Sequence, residues 1–177
     1  MELFSGLSDE FTRSFLAFSP SVALLRMVLA VLLGGALGLE RKMHDRQAPL
    51  RLHMLISLAA CLFTLIAFEL IAEGRDGANS ALRVDPLRLV AAVTSGVGFL
   101  AAGSVLNARS GVHGLTTGAS MWLAGAIGLT CGTGRLVLAL MSAGLALVVL
   151  MIVRKIAVAM GIEQKNAVTR NDPPPET

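Results

Sequence analysis

The chain has no tyrosine and a single tryptophan, Trp122, so the belt of interfacial aromatics that flanks many membrane proteins is thin here. It has two cysteines, Cys61 and Cys131, both set inside apolar runs. That excludes a disulfide-framed secreted fold and leaves them as small packing residues. Charged side chains make up only 15% of the sequence, too few for the surface of a soluble domain of this size. No GxSxG, HExxH, Walker loop or CxxC is present, so the common hydrolase, metalloprotease, nucleotide and thiol-redox chemistries have no anchor. The hydroxyls Thr116 and Thr117 have no neighbouring base beyond His113, and an enzyme is not expected. The net charge of +3 is spread over loops and the C-terminal tail, with no basic patch for nucleic acid. The N-terminal stretch lacks the basic n-region of a cleavable signal peptide.

Apolar residues are what it has instead. They are 54% of the chain, and the mean hydropathy is +0.71. Uninterrupted apolar runs of about 17–21 residues match the length of a bilayer-crossing helix. The expected spans are Ser21–Leu39, Leu52–Ala72, Pro86–Leu106, Leu115–Cys131 and Leu136–Val153. The fold expected is all-α: a polytopic bundle of about five transmembrane helices with glycine-rich packing faces. Residues 1–20 form an N-terminal interfacial segment carrying Phe4, Phe11, Phe15 and Phe18 at near-helical spacing. Residues 21–155 form the transmembrane domain, and residues 156–177 a polar tail ending in a proline run, expected to be disordered.

Local signals fix several boundaries. Ser19-Pro20 pairs an N-cap residue with proline at the first helical position, and Asp85-Pro86 repeats the device. Gly34 and Gly38 share a face of the first span. Gly114, Gly118, Gly125, Gly128 and Gly132 fall within roughly an 80° wedge of the fourth when wound at 100° per residue. Glycine is costly in a soluble helix but lets membrane helices bring their backbones together, so these positions and Gly96, Gly98 and Gly103 are expected helix contacts. Arg26 lies about one and a half turns inside the first span. It either snorkels to the interface or meets a buried carboxylate.

Loop charge sets the orientation. With the N-terminus outside, the inner side holds Arg41, Lys42, Arg46, Arg51, Arg109, Arg154, Lys155, Lys165 and Arg170. The outer side holds Arg13, Arg75, Arg83 and Arg135. The bias places the N-terminus in the periplasm and the C-terminus in the cytoplasm of a bacterial inner membrane. Glu40, Arg41, Arg51, His53, Asn107, His113, Thr116 and Thr117 then converge on the cytoplasmic ends of the first four spans. Such a group is either a salt-bridge cluster that fixes helix ends or a polar docking site for a ligand or partner, with Glu40 and Arg51 as its charged pair. His53 and His113 are placed near the surface as solvated or capping residues. Holding a metal would need help from Glu40 or Asp45, and neither metal nor cofactor is expected.

Four stretches resemble the MgtC/SapB family of bacterial inner-membrane proteins, in its short form. They are GLERK (Gly38–Lys42), LRLHMLISL (Leu50–Leu58), GVGFLAAG (Gly96–Gly103) and HGLTTGAS-W (His113–Trp122). Their order and spacing agree, and the likeness covers roughly Leu32 to Lys155. The chain departs from the pattern at Leu52, where threonine is usual, at Ala101 (usually Gly) and at Gly118 (usually Ala). The resemblance implies a role in adaptation to low magnesium and in virulence, exerted by binding other membrane proteins, the ATP synthase among them. Some longer members carry a soluble C-terminal domain, for which this chain is expected to be too short. The expected partners are the lipid bilayer and other membrane proteins, with a homo-oligomer as a candidate. The alternative is a small channel or transporter for a cation or other small solute.

Overall fold

The computed structural model describes residues 17–44, 50–76, 85–106 and 114–160. Among them the secondary structure is entirely helical: α1 (Pro20–His44), α2 (Leu50–Asp76), α3 (Pro86–Leu106), α4 (Leu115–Gly132) and α5 (Leu136–Ala159). Most of residues 1–20 and all of 161–177, the expected interfacial segment and tail, lie outside the described residues. Packing divides the chain into two units, residues 1–143 and 144–177. The described part of the second is the latter portion of α5, an apolar helix with Leu145, Val148, Val149 and Ile152 exposed.

Helix starts follow the sequence signals with one change of detail. The Ser19 carbonyl accepts from the backbone N–H groups of Val22 and Ala23 at 3.0 and 3.1 Å. Its hydroxyl does not cap the backbone but meets the Ser21 hydroxyl at 3.1 Å. Asp85 does cap: its Oδ1 accepts from the Leu87 N–H at 2.9 Å, satisfying one of the free donors of α3.

The far end of α4 is fully accounted for. Thr133 N–H donates to Leu129 O, Arg135 N–H to Thr130 O, and Gly134 N–H to Cys131 O. Gly134 takes the left-handed conformation, φ +79°, that this Schellman closure requires. The last free carbonyl, Gly132 O, accepts from Arg26 Nη1 at 2.9 Å. The Arg26 guanidinium also lies 4.1 Å from the centroid of the Phe18 ring. Arg26 therefore serves as a cap on a neighbouring helix. Replacing it with alanine should leave a buried carbonyl unpaired and cost about 2 kcal/mol. Arg26→Lys should recover part of that loss. Unfolding of the detergent-solubilised variants checks both, and an Arg26→Ala protein as stable as the parent would remove this role.

In the first unit α1, α2 and α4 pack on one another, and α3 packs on α4 while touching α2 only sparsely. The contacts give the directions. Gly34 meets Ser57 and Gly38 meets Leu50, so α1 and α2 are antiparallel. Gly128 meets Ser57 and Gly132 meets Thr64, so α2 and α4 run parallel. Gly118 meets Ala101 and Gly125 meets Val97, so α3 opposes α4.

Burial is arranged for lipid. Small residues lie inside (Ala23, Ala30, Ala60, Ala124 and both cysteines), while Leu24, Leu25, Val28, Leu32, Leu55 and Phe63 face outward. Small inward faces let helices associate where lipid offers no hydrophobic drive. Four helices, α1, α2, α3 and α5, are long and apolar enough to cross a membrane, with mean hydropathy from 1.5 to 2.9. The fourth expected span, α4, is not among them. Its Gly, Ser and Thr content lowers its own hydropathy, and neighbouring helices bury ten of its residues.

The glycines divide into two sets. A Cβ on Gly128 would fall on the Ser57 carbonyl and 2.8 Å from Ser57 Cα; one on Gly132 would stand 2.5 Å from Thr64 Cβ. On Gly34 it would stand 2.6 Å from Ser57 Cβ. These are backbone-close helix contacts. Gly125 and Gly118 meet α3 less tightly, at 2.9 Å from a Val97 methyl and 3.4 Å from Ala101 O. Gly96, Gly98 and Gly103, expected to be contacts of the same kind, have nothing within 4 Å of where a Cβ would stand. They lie on α3 away from α4, so their small size serves no contact with the described residues.

Candidate functional site

One end of the first unit gathers the end of α1 and the starts of α2 and α4. Because α1 turns back through a short connection into α2, Gly38 comes to rest over the first turn of α2. A Cβ there would stand 3.0 Å from His53 Cβ and 3.2 Å from Leu50 Cα. This close approach roofs His53, whose exposure is 0%. The position expected from sequence, a solvated histidine at the surface, is corrected: a glycine on the next helix lets the backbone cover the ring.

His53 Nε2 lies 2.9 Å from Ser120 Oγ on α4. Ser120 gives its own proton to the Thr117 carbonyl at 2.8 Å. A hydroxyl has one proton, so toward His53 the Ser120 oxygen acts as acceptor and the imidazole carries its hydrogen on Nε2. Thr117 is buried too, and its Oγ1 accepts from Arg41 Nη2 at 3.5 Å, a long contact for a hydrogen bond. Glu40, one residue earlier on α1, is only 7% exposed. A chain of polar side chains thus ties α1 to α4 and α4 to α2 at a single level.

The sequence candidates separate cleanly. Glu40, Arg41, His53 and Thr117 come together at this end. Arg51 is exposed on the first turn of α2, and the arginine that reaches the cluster is Arg41. Thr116 is exposed, one residue round the helix from buried Thr117. Gly114 starts α4 in the left-handed conformation, φ +87°, and its carbonyl accepts from Gly118 N–H at 2.8 Å. Asn107 and His113 lie outside the described residues. Ser120 was missed by sequence reasoning, although it stands three residues after Thr117 and so shares its helix face. Among the described residues no group of three His, Cys, Asp or Glu side chains could hold a metal ion.

The opposite end is polar as well. Glu69 Oε2 accepts from the Ala17 N–H at 3.0 Å, and Phe18 meets Phe68 edge-on at 5.7 Å. Phe18, expected on the membrane surface, is held in by Phe68 and Arg26. Glu69 and His53 are sixteen residues apart on α2, roughly 24 Å along its axis. The intervening length is lined by Ala60, Cys61, Ala124, Ile127, the hydroxyls of Ser57 and Thr64 and the glycine contacts. Ends carrying ionisable groups, separated by a middle that carries no charge, suit a bilayer core about 30 Å thick.

The MgtC family pattern matches residues 27–159, which takes in this end of the unit together with all four quoted stretches. The chain belongs to the MgtC family. It is a multi-pass membrane protein. It is 36% identical over 127 residues to the "Putative magnesium transporter YhiD" of Escherichia coli K12, covering 72% of this chain and 58% of that protein. Protein SapB of Bacillus subtilis is 36% identical over 112 residues, 63% of this chain and 47% of its own length. Protein MgtC of Brucella abortus is 36% identical over 105 residues, 59% and 40% of the two chains. The chain spans about half the length of these curated relatives. No solved structure matches it.

Proposed function

We propose that this chain is an inner-membrane regulatory protein of MgtC type that acts in adaptation to low magnesium, and in virulence, by binding other membrane proteins. The observation that carries the reading is the placement of the motif residues. At one end Arg41 reaches the Thr117 hydroxyl and His53 pairs with Ser120, beside exposed Arg51, while the middle of the α1–α2–α4 core is closed by backbone-close glycine contacts. That favours a polar surface held in fixed register for a partner over a solute path through the chain. The Lys/Arg bias puts this end in the cytoplasm and the N-terminus in the periplasm. No catalytic step is part of the proposal.

A transporter or channel for a cation is the second reading, favoured by the name of the E. coli relative and by buried Glu40. Flux separates the two. Purified protein in liposomes should pass no magnesium above empty vesicles if the regulatory reading holds. Arg51 provides the cleaner cellular test, because an exposed side chain can be removed with little effect on stability. Arg51→Ala should abolish support of growth in low magnesium while the protein still accumulates in the membrane. Normal growth of that variant, or magnesium uptake by the liposomes, would overturn the proposal.

A further inference from the structure

Where α3 leans on α4 and away from α2, a cleft of about 680 Å³ opens between α2 and α3. Its α2 wall runs from Leu52 to Leu70 and its α3 wall from Leu89 to Leu100. Every lining residue is Leu, Ile, Val, Phe, Ala or Gly, so no polar solute finds a partner there. We propose that this cleft is a seat for the acyl chain of a membrane phospholipid, held between two helices of one chain. The inference does not depend on the regulatory reading.

Length and lining suit a hydrocarbon chain. The α2 wall spans nineteen residues, roughly 27 Å, and the α3 wall twelve, roughly 17 Å, and every lining side chain is apolar. A single extended acyl chain matches a slot of that length and chemistry. The bilayer around the helices supplies one, because the cleft opens along membrane-spanning segments. Charge at the mouths agrees: exposed Arg51 precedes Leu52 and exposed Arg88 precedes Leu89. Each end of the cleft therefore has a cation at headgroup level, where a lipid phosphate would be. Gly96 gains a purpose as well. With nothing within 4 Å of its Cβ position, it keeps the cleft open instead of joining two helices.

The test uses the full chain in vesicles of phosphatidylethanolamine and phosphatidylglycerol containing a trace of phospholipid with a diazirine near the end of its acyl chain. After irradiation, crosslinks are mapped by mass spectrometry. They should concentrate on Leu52–Leu70 and Leu89–Leu100 and exceed those on the exposed face of α5. Gly96→Leu fills the cleft without displacing a neighbour and should abolish this concentration. Gly98→Leu, equally free of neighbours but not part of the lining, should preserve it. Both variants should fold, which their melting in detergent verifies. Crosslinks spread evenly over all outward faces, or undiminished in Gly96→Leu, would overturn the proposal. So would crosslinks between two copies of the chain at Gly96, since a second protein would then occupy the cleft.

Discussion

Gly128→Ala is expected to break the packing of α4 on α2, at a cost of about 3 kcal/mol or more, while Gly96→Ala should be near neutral. The difference lies in what a single methyl group would meet. At Gly128 it would enter the Ser57 carbonyl and approach Ser57 Cα, and backbone in the middle of a helix cannot turn aside. The helices would have to part, undoing the neighbouring contacts of Gly132 with Thr64 and Gly34 with Ser57. At Gly125 the obstacle is a Val97 methyl, a side chain that can shift, so Gly125→Ala should fall between, at about 1 kcal/mol. Unfolding of the purified variants by denaturant in one detergent gives the order. If the protein with Gly128→Ala unfolds together with that carrying Gly96→Ala, α4 does not sit on α2 as described.

That ordering also shows how far glycine can be read from sequence. The wedge of α4 glycines is legible by winding the residues at a helical period, and all five come to lie against α2 or α3. What winding cannot show is the partner. Gly118 and Gly125 meet α3 while Gly128 and Gly132 meet α2, because the wedge occupies the seam where both helices approach. Gly96, Gly98 and Gly103 are glycines of the same kind and meet none of the described residues. A small residue permits close approach without requiring it, and where α3 leans depends on contacts far away in the chain.

The helical class and the span boundaries were readable from hydropathy, with α4 as the informative exception. A helix surrounded by other helices needs no apolar surface of its own, so its hydropathy falls as its burial rises. The site was half legible. Charge and motif residues pointed to the right end of the chain's helices, yet the depth of His53 was not visible. Its neighbour Arg51 is exposed and it stands on a first turn, both signs of a surface residue. Its burial comes from Gly38 on α1 and Ser120 on α4, long-range contacts that no local pattern encodes. Arg26 was equally opaque, since its acceptor is a carbonyl more than a hundred residues away.

His53 itself separates packing from hydrogen bonding in this cluster. Ser120 keeps its proton on the Thr117 carbonyl whether or not the imidazole is present, so losing His53 does not orphan the hydroxyl. The hydrogen bond between them should accordingly contribute only about 1 kcal/mol. Volume weighs more. The ring is fully buried, with Gly38 pressed against its Cβ and Cγ, and α1 backbone cannot follow a smaller side chain inward. His53→Ala is therefore expected to cost about 3 kcal/mol, chiefly through the cavity it leaves. His53→Leu fills most of that space without a donor and should cost about 1 kcal/mol, close to the loss in Ser120→Ala. The pair His53→Leu and Ser120→Ala should be less damaging together than the sum of the two, because each removes the same bond. A double-mutant cycle on detergent-solubilised protein measures that coupling. Additive losses would mean the His53–Ser120 contact contributes nothing, and an alanine at position 53 no worse than leucine would mean the ring is not packed beneath Gly38.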